Sequence, residues 1–134
     1  MTDSLKKPRQ TLGLRHLALQ AKHLEACEHF YTHLLGMQLV WRPDGDNVYL
    51  SSGSDNLALH RAPVDFKPAP HQHLDHLGFL LKEKADVDAW HDYLHAEGVQ
   101  IGAAPKDHRD GTRSFYCMDP DGNVVQLIWI PEIT

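Results

Sequence analysis

Cysteine is scarce: the 134-residue chain has two, Cys27 and Cys117, and they form no CxxC pair. That leaves no basis for a disulfide framework, and buried free thiols in a reducing compartment are the simplest account. Long apolar runs are missing too. No stretch approaches the roughly 20 residues of a membrane span. The opening, Met1 to Thr11, carries Lys6, Lys7, Pro8 and Arg9 with no apolar run behind them. It is therefore expected to be neither a signal peptide nor an anchor, and the protein is expected in the cytoplasm. Nor is there a basic excess. A net charge of −5 lacks the positive face that a phosphate-tracking nucleic-acid binder needs to release counterions. The rest is ordinary globular composition, 42% hydrophobic and 23% charged, in a chain long enough to bury a core unaided. What the chain has in excess is histidine, 11 residues in all.

The sequence also repeats itself. Leu14-Arg15-His16-Leu17-Ala18-Leu19 is echoed sixty residues later by Leu74-Asp75-His76-Leu77-Gly78-Phe79. After each copy comes a helical stripe, Leu24, Cys27, Tyr31, Leu34 and Leu35 in the first, Val87, Trp90 and Leu94 in the second. Gly36 and Gly98 suit left-handed caps, and similar strand starts follow, Met37-Gln38-Leu39 and Val99-Gln100-Ile101. Two more strands finish each copy: Asn47 to Ser51 and Asn56 to Arg61, then Arg113 to Met118 and Asn123 to Ile130 across the turn Asp119-Pro120-Asp121-Gly122. Pro63, Pro68 and Pro70 mark a linker from Ala62 to His73. The fold class is thus α+β, two tandem βαβββ modules at about 12–61 and 74–131 of one domain spanning 1–134.

Strand alternation assigns the faces, since side chains at i and i+2 share one side of a sheet. Leu17, Leu19, Leu57, Leu59, Leu77, Phe79, Leu127 and Trp129 make an apolar set expected beneath the helices. The opposite, concave face holds His16, Ala18, Gln20, Ala58, His60, His76, Gly78, Gln126 and Ile128. Polar groups there are costly unless protein, water, a ligand or a metal satisfies them.

This pattern resembles the vicinal oxygen chelate superfamily, which includes glyoxalase I, extradiol dioxygenases, fosfomycin resistance proteins and bleomycin-binding proteins. The residues that carry the resemblance are His16, Phe30-Tyr31 with Leu35-Gly36, His76, and Asp119-Pro120-Asp121-Gly122-Asn123, and it covers about residues 12–131. It implies a cup-shaped, curled mixed sheet with the helices outside. In metal-using relatives the ligands lie on the first and last strand of each module and point into the cup. His16 and His76 match the two histidine positions, while the carboxylate positions fall on Ala58 and Gln126. A glutamine amide offers only a neutral oxygen where a carboxylate offsets metal charge, which suggests weaker binding. His60, on the same face as Ala58, is a further candidate imidazole. The implied cofactor is a divalent metal, Fe²⁺, Mn²⁺, Ni²⁺ or Zn²⁺.

A narrower resemblance is to extradiol dioxygenases: His108, then Phe115-Tyr116, Asp119-Pro120, Gly122 and Gln126 where those enzymes have glutamate. Lys106 departs from that signature. By this resemblance His108 and Tyr116 are candidate catalytic residues beside the ligand set, His108 as an acid or base. The bland alternatives are interior histidines bonded to neighbours for His16 and His76, an amide that only binds ligand for Gln126, and a solvated loop residue for His108.

His91 and His95, at the i, i+4 spacing of a zinc metalloprotease helix, are rejected as a metal site: Asp92 replaces the glutamate and both are expected on the solvated side. His29 and His33 repeat that spacing, and His71 and His73 fall in the linker. Arg42, Arg109 and Arg113 are candidates to reach a ligand carboxylate.

The leading functional expectation is a small metal-dependent enzyme. Dioxygenase-like chemistry ranks ahead of lyase or isomerase chemistry, on a small oxygen-rich or aromatic substrate. The alternative is a metal-free protein that sequesters a small molecule, as bleomycin-resistance relatives do, and a third reading is a dimerisation or regulatory module. A homodimer is expected, with no nucleic-acid or membrane partner.

Overall fold

The computed structural model describes residues 6–133. The first module runs β1 (His16–Ala21), α1 (Leu24–His29) continuing as a π-helical stretch (Phe30–Leu34), β2 (Gln38–Asp44), β3 (Asn47–Ser51) and β4 (Asn56–Arg61). The second runs β5 (Leu77–Leu80), α2 (Asp86–Ala96), β6 (Ile101–Asp107), β7 (Arg113–Met118) and β8 (Val124–Trp129). These are the two expected βαβββ modules. Each makes a four-stranded mixed sheet, ordered β1-β4-β3-β2 and β5-β8-β7-β6. The first and last strands of each module pair in parallel, the rest antiparallel.

The period-2 pattern decides which side of each sheet meets its helix. Leu19, Val48, Leu50, Leu57 and Leu59 of one sheet and Phe115, Cys117, Val125 and Leu127 of the other enter one core with Leu24, Cys27, Tyr31, Val87 and Leu94 from the helices. Leu17, Leu77, Phe79 and Trp129 pack at its margin. Gly36 and Gly98 end the two helical segments at φ of 84° and 83°, which only glycine adopts freely.

Two local features depart from the expected helices. Leu35 N–H bonds to the Phe30 carbonyl at 3.1 Å, a five-residue step that widens the turn. Neighbours in an ordinary helix diverge by about 100°. The wider turn lets adjacent Phe30 and Tyr31 both turn inward, at 3% and 0% exposure. His91, expected on the solvated side of α2, is instead largely covered, with its ring 5.4 Å from the buried Phe115. The reason is helical geometry: His91 stands four residues after Val87 and three before Leu94, on the buried stripe itself.

The turn after β7 clamps the modules together. Buried Asp119 accepts hydrogen bonds from Tyr31 Oη at 2.7 Å, from Asp121 N and Asn123 N, and from Asn123 Nδ2. Asp121 accepts from Lys22 N at 2.6 Å and His23 N at 3.0 Å, and its Oδ1 meets His23 Nδ1 at 2.7 Å. Lys22 and His23 immediately precede α1, and no side chain of the first module caps that helix. A carboxylate from the second module thus ties down the two residues that lead into α1. The Asp-Pro-Asp-Gly-Asn segment therefore fixes how the two modules sit relative to each other.

Candidate functional site

Each sheet turns one face away from the core. On the first, register sets Ala18, Ala58, Tyr49 and Trp41 side by side across four strands. On the second, the matching row is Gly78, Gln126, Tyr116 and Ala103. His16 and His76 stand two residues before Ala18 and Gly78, at the start of β1 and just before β5.

The three candidate imidazoles share a mode of support. His16 Nδ1 meets Asn56 Oδ1 at 2.9 Å, His60 Nδ1 meets Asn47 Oδ1 at 2.6 Å, and His76 Nδ1 meets Asp75 Oδ1 at 2.7 Å. A partner on Nδ1 orients the ring and directs the Nε2 lone pair outward, as histidine ligands require. On donor chemistry, then, these residues fit a divalent metal.

Their placement is less uniform. His16 and His76 both line a cleft of about 840 Å³ between the modules, with Leu17, Leu77, Phe79 and Trp90 on its walls. His60 lies opposite Gln20, not opposite His16, because β1 and β4 run parallel. It stands four residues along β4 from Asn56, on the order of 13 Å at about 3.3 Å per residue. Its neighbours are Asn47 and the ring of Tyr49, 5.9 Å away. Among the described residues no three His, Cys, Asp or Glu side chains gather at one point.

The second face is knitted by hydrogen bonds. Gln126 Nε2 donates to Ser114 Oγ at 2.9 Å and to Tyr116 Oη at 3.1 Å. Ser114 Oγ meets His108 Nε2 at 2.7 Å, and the Tyr116 ring packs edge-on to His76 at 5.3 Å. Sequence reasoning connected His108, Tyr116, Gln126 and His76 to one site but missed Ser114, the link between two of them. Strand alternation carried the signal, since Ser114 stands two residues before Tyr116 and shares its face.

Other candidates serve elsewhere. Arg42 pairs with Glu28, and Arg113 with Asp88 and Asp107, whose carboxyls its guanidinium holds below the usual range. Arg109, His71 and His73 are exposed. Burial pushes the Cys117 thiol up to about 12 and raises Cys27 as well, so neither is a ready nucleophile.

The chain belongs to the Glyoxalase/Bleomycin resistance protein/Dioxygenase superfamily, whose family model matches residues 13–127. Among curated relatives it is similar to the metallothiol transferase FosB of Bacillus licheniformis, 24% identical over 116 residues, 87% of this chain and 74% of that one. It is also 24% identical over 125 residues to the biphenyl-2,3-diol 1,2-dioxygenase of Sphingomonas paucimobilis, covering 90% of this chain and only 40% of that enzyme. In fold it resembles a lactoylglutathione lyase from Agrobacterium tumefaciens, with a TM-score of 0.73 at 24% identity over 90% of this chain and 96% of that one. An integron cassette protein from the mobile metagenome of Halifax Harbour sewage outfall gives a TM-score of 0.75 at 22% identity, over 90% and 100% of the two chains.

Proposed function

We propose that this protein is a small metal-dependent enzyme acting on a small oxygen-rich or aromatic substrate. The observation that carries the reading is that His16 and His76, one from each module, line the same cleft with Nδ1 already bonded and Nε2 turned free. These two imidazoles would hold a divalent metal, Fe²⁺, Mn²⁺, Ni²⁺ or Zn²⁺, and Gln126, cross-strand from Gly78 two residues past His76, is the neutral oxygen the reading adds to them. Once bound, such a metal supplies Lewis acidity to neighbouring substrate oxygens.

The chain's own residues do the rest. Leu77, Phe79 and Trp90 exclude water from the cleft and take the apolar part of a substrate. Tyr116, whose ring packs edge-on to His76, and His108, linked to it through Ser114 and Gln126, would handle protons from the second face rather than from the cleft walls. Dioxygenase-like chemistry ranks ahead of lyase or isomerase chemistry on the joint presence of His108 and Tyr116. The likeness to a dioxygenase and to a metallothiol transferase is compatible with either.

A second copy of the chain completes the cup in this reading. Ala18, Gln20 and Gly78 are exposed on the faces that should enclose a ligand, and β2 is exposed along its whole length. The two buried thiols suit a reducing, cytoplasmic setting, and among the described residues no helix is long and apolar enough to cross a membrane.

Calorimetry with Mn²⁺, Fe²⁺, Ni²⁺ and Zn²⁺ tests the reading. Wild-type protein should bind at least one. His16→Ala and His76→Ala should each weaken it beyond the roughly 100-fold that outer-shell changes reach, with little change in melting temperature. A wild-type protein that binds none of the four leaves the second reading, metal-free sequestration of a small molecule, which the methyl group of Ala58 at a carboxylate position favours.

A further inference from the structure

The directions of the hydrogen bonds around Gln126 reach beyond its service as a neutral oxygen. Gln126 and Ser114 are 8% and 1% exposed, so each of their polar hydrogens needs a partner. An amide nitrogen carries two hydrogens, and here one goes to each hydroxyl, Ser114 Oγ and Tyr116 Oη. Both hydroxyls accept from the amide and must send their own protons away from it. For Ser114 the remaining partner is His108 Nε2 at 2.7 Å. That nitrogen must accept, which puts the ring proton of His108 on Nδ1. Tyr116 has no such acceptor among its described contacts: its ring meets His76 edge-on, and its hydroxyl bonds to Gln126 alone.

We propose that Gln126 is a polarity-setting hub, which holds His108 through Ser114 in the Nδ1–H form and frees the Tyr116 hydroxyl to donate to an anionic oxygen of the bound ligand. Gln126 and Ser114 are positioning residues. Tyr116 is the group that touches the ligand, and that last step alone rests on reading this face as a ligand site. A glutamate at 126 would reverse every direction, because a carboxylate only accepts and would draw in both hydroxyl protons. The amide therefore sets this face apart from a carboxylate ligand position: it presents a donor to the ligand where a carboxylate would consume it.

The hub can be read without metal or turnover. In full-length protein labelled with ¹⁵N, imidazole correlation spectra should show His108 protonated at Nδ1 and bare at Nε2. Gln126→Glu should move that proton to Nε2, since Ser114 then donates to the carboxylate and accepts from the ring. Ser114→Ala, which removes the donor to Nε2, should abolish the Nδ1–H preference and serves if the glutamate variant does not fold. Wild-type protein protonated at Nε2, or a tautomer indifferent to both substitutions, overturns the hub. Benzoate, an apolar body with one anionic oxygen pair, tests the donor: Tyr116→Phe should weaken its binding about 10-fold, the scale of a hydrogen bond to a charged group. Wild-type protein that does not take benzoate, or a phenylalanine variant that takes it equally well, overturns the donor assignment. Because the tautomer is recorded without metal, failure of metal binding would leave the hub standing.

Discussion

Ala58 and Gln126 hold matching places in the two modules, each the central partner in a cross-strand row that runs from the first strand of its module to a tyrosine and beyond. Beside Ala58, which is fully buried, Tyr49 stacks on Trp41 with ring centroids 5.2 Å apart. Beside Gln126, Tyr116 takes a hydrogen bond at 3.1 Å, and residue 103, the counterpart of Trp41, is alanine. The backbone plan is the same and the chemistry is not. One face offers an aromatic wall and the other a chain of polar contacts. The difference shows how one backbone plan carries an aromatic stack on one face and a chain of hydrogen bonds on the other.

The largest expected effect tests what keeps the two faces in register. Asp119→Ala removes the acceptor of the buried Tyr31 hydroxyl and of two turn N–H groups, and should cost about 3 kcal/mol in urea denaturation. Were the loss near zero, the clamp would not be what sets the modules' relation, and the comparison of their faces would lose its frame. A smaller effect comes from exchanging the pivots. Gln126→Ala removes the amide donor shared by the Ser114 and Tyr116 hydroxyls and should cost about 1–3 kcal/mol. Ala58→Gln inserts an amide into a filled position and should cost a similar amount by overpacking. Equal melting temperatures for wild type and either variant would mean that the two rows are interchangeable.

The smallest effect concerns what the modules have in common. Arg61 ties Glu25 of α1 to the first sheet, and Arg113 ties Asp88 of α2 to the second. In both cases the arginine lowers the carboxyl's pKa. A folded-state value below the unfolded one stabilises above the ordinary carboxylate range near 4 and is lost as pH falls through the lowered value. Stability should therefore decline only slightly between pH 5 and 3 through these exposed pairs, and Arg61→Ala and Arg113→Ala should each flatten that slope by a similar small amount.

Much of this was legible from residue order, and the exceptions have physical causes. Strand ranges such as Asn47–Ser51 and Arg113–Met118 follow from alternation bounded by turn residues, and the repeat fixed both modules. The sequence did not reveal the wide helical turn at Phe30, because a five-residue hydrogen-bond step leaves no periodic trace over so short a span. Nor did it reveal how far His60 stands from His16: alternation says which face a residue shares, whereas spacing along a parallel pair depends on register. His16, His76, Gln126, His108 and Tyr116 were legible as candidates through resemblance. That the last three share one connected network with Ser114 needed coordinates, since bond direction is a property of partners and not of residue types.

The carboxylate of Asp121, 99 residues along the chain from the Lys22 amide it accepts, also bears on how the protein is made. A six-residue helix such as α1 does not hold itself in water, and the carboxylate that fixes the residues leading into it arrives only once residue 121 has left the ribosome. The first module therefore lacks that tie, its edge strands open, until residue 121 has emerged. That interval, longer than for domains whose helix starts are tied by nearby residues, is when the nascent chain is most exposed to pairing with a neighbour.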